Sequence, residues 1–206
     1  MFTERTNESD DTPQARRLAQ TRQAILQNAR EMIVAQGIHG LSIRALADSI
    51  DYTPGALYKY FSSKEALVDA VRADCFEELN IFIAEQVGTA VNTPEMLLLG
   101  GLAYIEYAAQ HPQEYHLMFN MEPSHATSGE QREMAMRALL LIVQIGIAQG
   151  ELVAQGAYDA AAIAYHCWAT VHGIASLQAT VLLDERDDLP ELNRLILQKV
   201  IEGFTL

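Results

Sequence analysis

Apolar residues recur at three- and four-residue intervals along most of this chain and rarely alternate, so the pattern predicts helices and no strand. Thr12 followed by Pro13 marks a helix start, and Leu18, Ile25, Leu26, Ala29, Ile33 and Val34 follow at helical spacing to Gly37, a C-terminal stop. Ser42 caps a second, short helix with Ile43, Leu46, Ala47 and Ile50 on its apolar face. Thr53-Pro54 opens a third only a few residues later. Ser62 with Glu65 reads as a capping box for a fourth helix that runs to about Gly88. Thr93-Pro94-Glu95 caps a fifth to about Gln110, where His111-Pro112 breaks it and restarts a sixth through Phe119. Residues 120–128 read as a loop. Ser128 with Gln131 opens a seventh helix that Gly150 closes, Asp159 caps an eighth to about Leu183, and Leu189-Pro190 begins the ninth. The expected fold class is all-α, with about nine helices.

Residues 160–183 hold no Asp, Glu, Lys or Arg and are long enough to span a bilayer. His166, His172, Ser176 and Gln178 interrupt the stretch, and acidic residues flank it on both sides, so a helix buried in protein on several sides is the better reading. The polar N-terminus has no secretory core, and two cysteines, Cys75 and Cys167, cannot build a disulfide framework. A cytoplasmic protein is expected.

The net charge of −13 conceals a division. Residues 12–64 carry seven basic side chains against three acidic ones, while residues 65–206 carry six against twenty. A basic head on an acidic body suits nucleic-acid binding confined to the head. The expected organisation is a disordered tail over residues 1–11, a nucleic-acid-binding head over 12–65 and an acidic body over 66–206.

The stretch Ser42–Phe61, SIRALADSIDYTPGALYKYF, places two short helices on either side of a tight turn, the helix-turn-helix pattern. The second helix of such a pair enters the major groove of DNA. Gly55 and Ala56 allow close approach, Thr53 and Tyr58 can bond phosphate oxygens, Lys59 and Lys64 supply charge, and Arg44 can reach a guanine edge. Leu57 and Phe61 should face inward. The residues Leu57, Tyr58, Tyr60 and Phe61, then Lys64, Glu65 and Leu67, closely resemble the DNA-binding domain of TetR/AcrR-type transcriptional regulators, over about residues 16–70. The chain departs from the family at Pro54, where many relatives carry a polar or basic residue, so base readout there is either missing or shifted to Thr53 and Gly55. The candidate DNA-binding set is Ser42, Arg44, Thr53, Pro54, Gly55, Tyr58, Lys59, Tyr60 and Lys64.

Trp168-x-x-x-His172-Gly173, with His111-Pro112 and Tyr115 through Phe119, resembles the TetR-type ligand domains named for Trp, His and Gly. That resemblance implies a homodimer joined through the last two helices and a cavity for a small-molecule effector within helices four to eight. Tyr104, Tyr107, His111, Phe119, Tyr165, Trp168 and His172 are the candidate ligand residues; each could instead belong to the core or to the dimer interface. His111 and His116 near Glu114 lack a full metal-ligand set, Asp74 and Glu77 would raise the Cys75 pKa, and no catalytic motif is present. The expected function is a repressor that binds a palindromic operator as a homodimer and is released by a largely apolar effector. No cofactor, metal or enzymatic activity is expected.

Overall fold

A computed structural model describes residues 12–119, 128–180 and 188–205; within 128–134 it describes the backbone only. Nine helices occur among the described residues: α1 (Pro13–Gly40), α2 (Ile43–Ser49), α3 (Pro54–Leu57), α4 (Lys64–Val87), α5 (Thr93–Gln110), α6 (Pro112–Phe119), α7 (Ser128–Ala148), α8 (Ala160–Thr180) and α9 (Leu189–Glu202). The extended backbone they contain is a single isolated bridge between Gln155 and Tyr158. The expected tail over residues 1–11 and the loop over residues 120–127 lie outside the described residues.

Side chains at the predicted starts explain most boundaries. Thr12, Ser42, Thr53 and Asp159 each accept from a backbone N–H three residues on, which satisfies one of the donors a helix start leaves unpaired. Gly37, at φ +74°, interrupts the regular dihedrals of α1 and ends its straight part. Two expected caps sit one residue away from their predicted place. Ser63, rather than Ser62, accepts from the Ala66 N–H and starts α4. Asn92, rather than Thr93, caps α5 through Glu95, whose carboxylate reaches back to the Val91 N–H.

The chain divides into two compact units, residues 1–71 and 72–206, with α4 running through the division. In the first unit, Ile25, Leu26, Ala29 and Ile33 of α1 are buried with Leu46 and Ala47 of α2, Leu57 of α3, and Leu67 and Val68 of α4. In the second, α5 and α8 make the most extensive helix pairing, and α7 and α9 pack against both. Leu97, Val143, Leu152, Ile163, Ile201 and Phe204 form one buried cluster there. The α5–α7 contact is very close at Gly146, where a Cβ would lie 2.6 Å from Cγ2 of Thr93.

α8 packs on α5, α7 and α9, enclosed on several sides as expected, and leaves one face, bearing Tyr165 and Leu177, exposed. No helix among the described residues is long and apolar enough to cross a membrane.

Candidate functional site

The helix-turn-helix is built by local rules. α2 begins at the Ser42 cap and α3 at the Thr53 cap, with Pro54 in the first turn of α3. Between them Asp51 adopts φ +58°, and the Tyr52 N–H returns to the Ala47 carbonyl at 2.9 Å. Leu46, Ala47, Leu57 and Phe61 turn inward and are buried. Ser42, Arg44, Thr53, Pro54, Gly55, Tyr58 and Lys59 are exposed, and Tyr60 and Lys64 are half-buried. Nothing lies within 4 Å of where a Gly55 Cβ would be, so the start of α3 is open to a large partner.

An open groove flanks this stretch, lined by the first turns of α1 from Thr12 to Thr21 and by Tyr52 and Tyr60. Arg17 and Thr21, one helical turn apart, are part of it, and the Thr21 hydroxyl lies 3.4 Å from that of Tyr52. Arg17 is one of the seven basic side chains of residues 12–64 and was not among the candidate DNA-binding residues. Its i, i+4 relation to Thr21 at the start of α1 was the available signal. Arg22 lies over the Phe61 ring, 5.2 Å from its centroid, and so braces the core.

The second unit contains a cavity of about 200 Å³ between α4, α5, α7 and α8. Phe76 and Leu79 of α4, Tyr104 of α5, Phe119 of α6, Met136 and Leu139 of α7, and Trp168 of α8 are among its walls. Three of the candidate ligand residues, Tyr104, Phe119 and Trp168, therefore line it. His172 stands behind them, stacked on Trp168 at 5.3 Å and edge-on to Phe119 at 4.7 Å. Tyr107 and His111 are not among its lining residues. They stack on each other at 4.5 Å, and the Tyr107 hydroxyl donates to the Cys75 carbonyl at 3.4 Å. Tyr165 is exposed and lines no described pocket.

Tyr115, outside the candidate set, completes the polar end of this region. Its hydroxyl lies 2.8 Å from Nδ1 of His172, and that of Tyr104 lies 3.0 Å from the same nitrogen. Both hydroxyls address Nδ1, which accepts from one of them when the neutral imidazole carries its proton on Nε2 and donates to them when it carries it on Nδ1. Burial lowers the His172 pKa, favouring the neutral form, and burial raises both tyrosines above their ordinary value. Tyr115 was quoted in the sequence motif. Its partner is 57 residues away, so no local spacing could assign the contact. Cys167 also lines the cavity, and burial pushes its thiol up to about 11, so it is protonated at neutral pH. His111 comes to 4.0 Å from Glu114, but no group of three His, Cys, Asp or Glu could hold a metal among the described residues.

Both units match known families. The family of bacterial regulatory proteins designated tetR matches residues 25–71. A family described as a tetracyclin repressor-like C-terminal domain matches residues 97–199. An uncharacterized HTH-type transcriptional regulator from Mycobacterium tuberculosis is 27% identical over 167 residues, 81% of this chain and 74% of that one. The HTH-type transcriptional regulator UidR of Escherichia coli strain K12 is 45% identical over 51 residues, 25% of this chain and 26% of its own. Among solved structures, a protein of unknown function from Rhodococcus sp. RHA1 has a TM-score of 0.79 at 26% identity, covering 90% of this chain and 95% of that one. A TetR/AcrR-family regulator from Thermobifida fusca YX-ER1 shares the fold with a TM-score of 0.68 at 20% identity, over 89% of this chain and 98% of its own. The chain belongs to the TetR family and is a DNA-binding transcriptional regulator, not an enzyme.

Proposed function

We propose that the protein is a cytoplasmic repressor that binds a palindromic operator as a homodimer and releases it when a small molecule enters the second unit. The observation that carries the DNA-binding part is the exposure of Arg44, Thr53, Gly55, Tyr58 and Lys59 around a helix-turn-helix whose other face is buried. With Ser42, Pro54, Tyr60 and Lys64, these residues form the contact set. Arg44 is the base-reading candidate, Tyr58, Lys59 and Lys64 contact phosphate, and Thr53 and Gly55 lie where Pro54 displaces the family's usual polar contact.

Homodimerisation through α8 and α9 is supported by the apolar face that one protomer leaves open. Tyr165 is 61% exposed, Leu177 53% and Leu195 50%. On α8, Ala161, Tyr165, Ala169, Gly173 and Leu177 recur every four residues, and nothing lies within 4 Å of a Cβ placed on Gly173. Such a ridge with small residues suits close packing against a second helix. A dimer places two recognition helices in successive major grooves, about 34 Å apart or somewhat more, and the operator mirrors its two-fold symmetry.

Effector release is supported by what α4 connects. It begins at Lys64, itself in the contact set, and reaches the cavity through Phe76 and Leu79. Arg72, buried, donates from Nε to the Leu117 carbonyl of α6 at 2.9 Å, and Phe76 meets Phe119 edge-on at 5.4 Å. A ligand that moves α6 therefore acts on α4 as well. It shifts DNA affinity only by its differential affinity for the two conformations, and DNA weakens its binding by the same factor.

The test is selection of bound duplexes from a random pool by the purified protein at fixed, near-physiological salt. An enriched palindrome with two half-sites is the expected result. Weak, salt-sensitive binding without enrichment, persisting after the protein is unfolded and refolded free of ligand, would overturn the reading.

A further inference from the structure

The cavity of the second unit is walled mainly by aliphatic and aromatic carbon. Asn80, Tyr104, Cys167 and Trp168 supply its polar side-chain atoms among the described residues, and no Asp, Glu, Lys, Arg or His is among those lining it. An ion placed there would lose its water without gaining a partner charge, so an uncharged occupant is favoured. The volume, about 200 Å³, lies below the ~300 Å³ at which ordinary drug-sized sites begin. At ~30 Å³ for each water in the liquid, it equals roughly six or seven waters, the bulk of one ring with a short substituent.

Tyr104 gives this space its polar direction. Its hydroxyl lies 3.0 Å from Nδ1 of His172. A neutral imidazole nitrogen offers one lone pair, and Tyr115 lies closer to it, at 2.8 Å. The two hydroxyls therefore cannot both donate to Nδ1. When Tyr115 does so, the Tyr104 proton is available to a ligand oxygen. When Tyr104 does so, its oxygen still has its lone pairs for a ligand donor. A hydroxyl meets both arrangements because it donates and accepts, whereas a carbonyl meets only the first.

Building on the effector reading above, we propose that the cavity takes a small uncharged alcohol or phenol, its hydroxyl against Tyr104 and its hydrocarbon part among Phe76, Phe119 and Trp168.

The experiment is calorimetric titration of the full-length protein with three probes of one skeleton: 2-phenylethanol, ethylbenzene and phenylacetate. We expect 2-phenylethanol to bind about fivefold more tightly than ethylbenzene, the effect of one neutral hydrogen bond, and phenylacetate not to bind. Tyr104→Phe, checked for helicity, should bring the alcohol down to the hydrocarbon's level and leave ethylbenzene unchanged. Equal binding of alcohol and hydrocarbon, preference for phenylacetate, an alcohol preference that survives Tyr104→Phe, or silence of all three probes would each overturn the assignment. The wild-type comparison decides alone if the variant does not fold. Parallel titration of a selected operator separates the two readings. Probe preference without any effect on DNA leaves the ligand class standing and removes the effector role, while normal operator binding with silent probes does the opposite to the ligand class.

Discussion

Arg44 projects from α2 beside a buried Leu46 and is exposed, so its replacement touches little of the core. Arg44→Ala should weaken operator binding by about 1–3 kcal/mol and relax preference at one position in each half-site. A selected sequence profile identical to wild type would remove Arg44 from base readout. Lys64, at the start of α4, should behave differently. Lys64→Ala is expected to weaken all sequences evenly and to reduce the salt slope by about one per protomer, read from affinities across a salt series. His172 carries a pH prediction. Burial lowers its folded pKa below its unfolded value, so below about pH 6.5 the unfolded state binds more protons and stability falls as pH drops. Melting temperatures measured from pH 7.5 to 5.5 should decline, and His172→Gln should flatten that decline. At this scale the exposed face of the helix-turn-helix was legible because it lies within one short stretch whose inward positions Leu57 and Phe61 set the outward ones. The lining of the cavity was legible only in part. Tyr104 and Trp168 reach the cavity, but Tyr107, three residues after Tyr104, is directed to Cys75 instead. That choice depends on which helices pack there, and no spacing records it.

Among the helices, starts were read more easily than faces. A Ser, Thr, Asn or Asp before an apolar run offers the backbone a partner wherever the helix sits, so Thr12, Ser42, Thr53 and Asp159 could be placed in advance. The displaced cap of α5 has a non-local cause. The Thr93 N–H donates to the Glu151 carboxylate at 2.8 Å, a contact across 58 residues, which holds Thr93 inside the helix and leaves the cap to Asn92. These bonds from Thr93 hold the Glu151 carboxyl below its usual range. Which side of α8 stays exposed was not legible, since its composition is apolar nearly all round while Tyr165 and Leu177 lie exposed on one side. The same junction of α5 and α7 gives a stability prediction. Gly146 sits where a Cβ would be 2.6 Å from Thr93 and 2.9 Å from Leu152. Helix propensity alone would make Gly146→Ala stabilising. Overpacking should win, at about 1–3 kcal/mol of destabilisation, and lower the thermal midpoint by several degrees. A midpoint equal to or above wild type would show that α7 can shift to admit the methyl group.

For the whole molecule, the net charge of −13 and the function pull in opposite directions, and the arrangement of charge reconciles them. The acidic excess lies in residues 65–206, whereas residues 12–64 carry seven basic side chains against three acidic ones, so DNA is attracted to the helix-turn-helix head. One such head supplies few phosphate contacts, and a pair of heads supplies the rest only if the protomers are held together. The exposed Leu177 and Leu195 are therefore the place to separate the two requirements. Leu177→Arg with Leu195→Arg places a charge on each of the two helices, on a surface exposed in the single protomer, so the protomer fold should be retained. In solution the variant should scatter light as a 22.8 kDa monomer, whereas the wild type should show twice that mass. On a palindromic duplex it should lose about 10²- to 10⁴-fold in affinity, because the second head no longer binds as part of one molecule. On a duplex with a single half-site it should match wild type, since the contact residues are untouched. If mass and palindrome affinity both stay at wild-type values, the dimer is joined elsewhere. If the mass halves while palindrome affinity holds, each head binds independently, and spacing between heads cannot be what an effector alters.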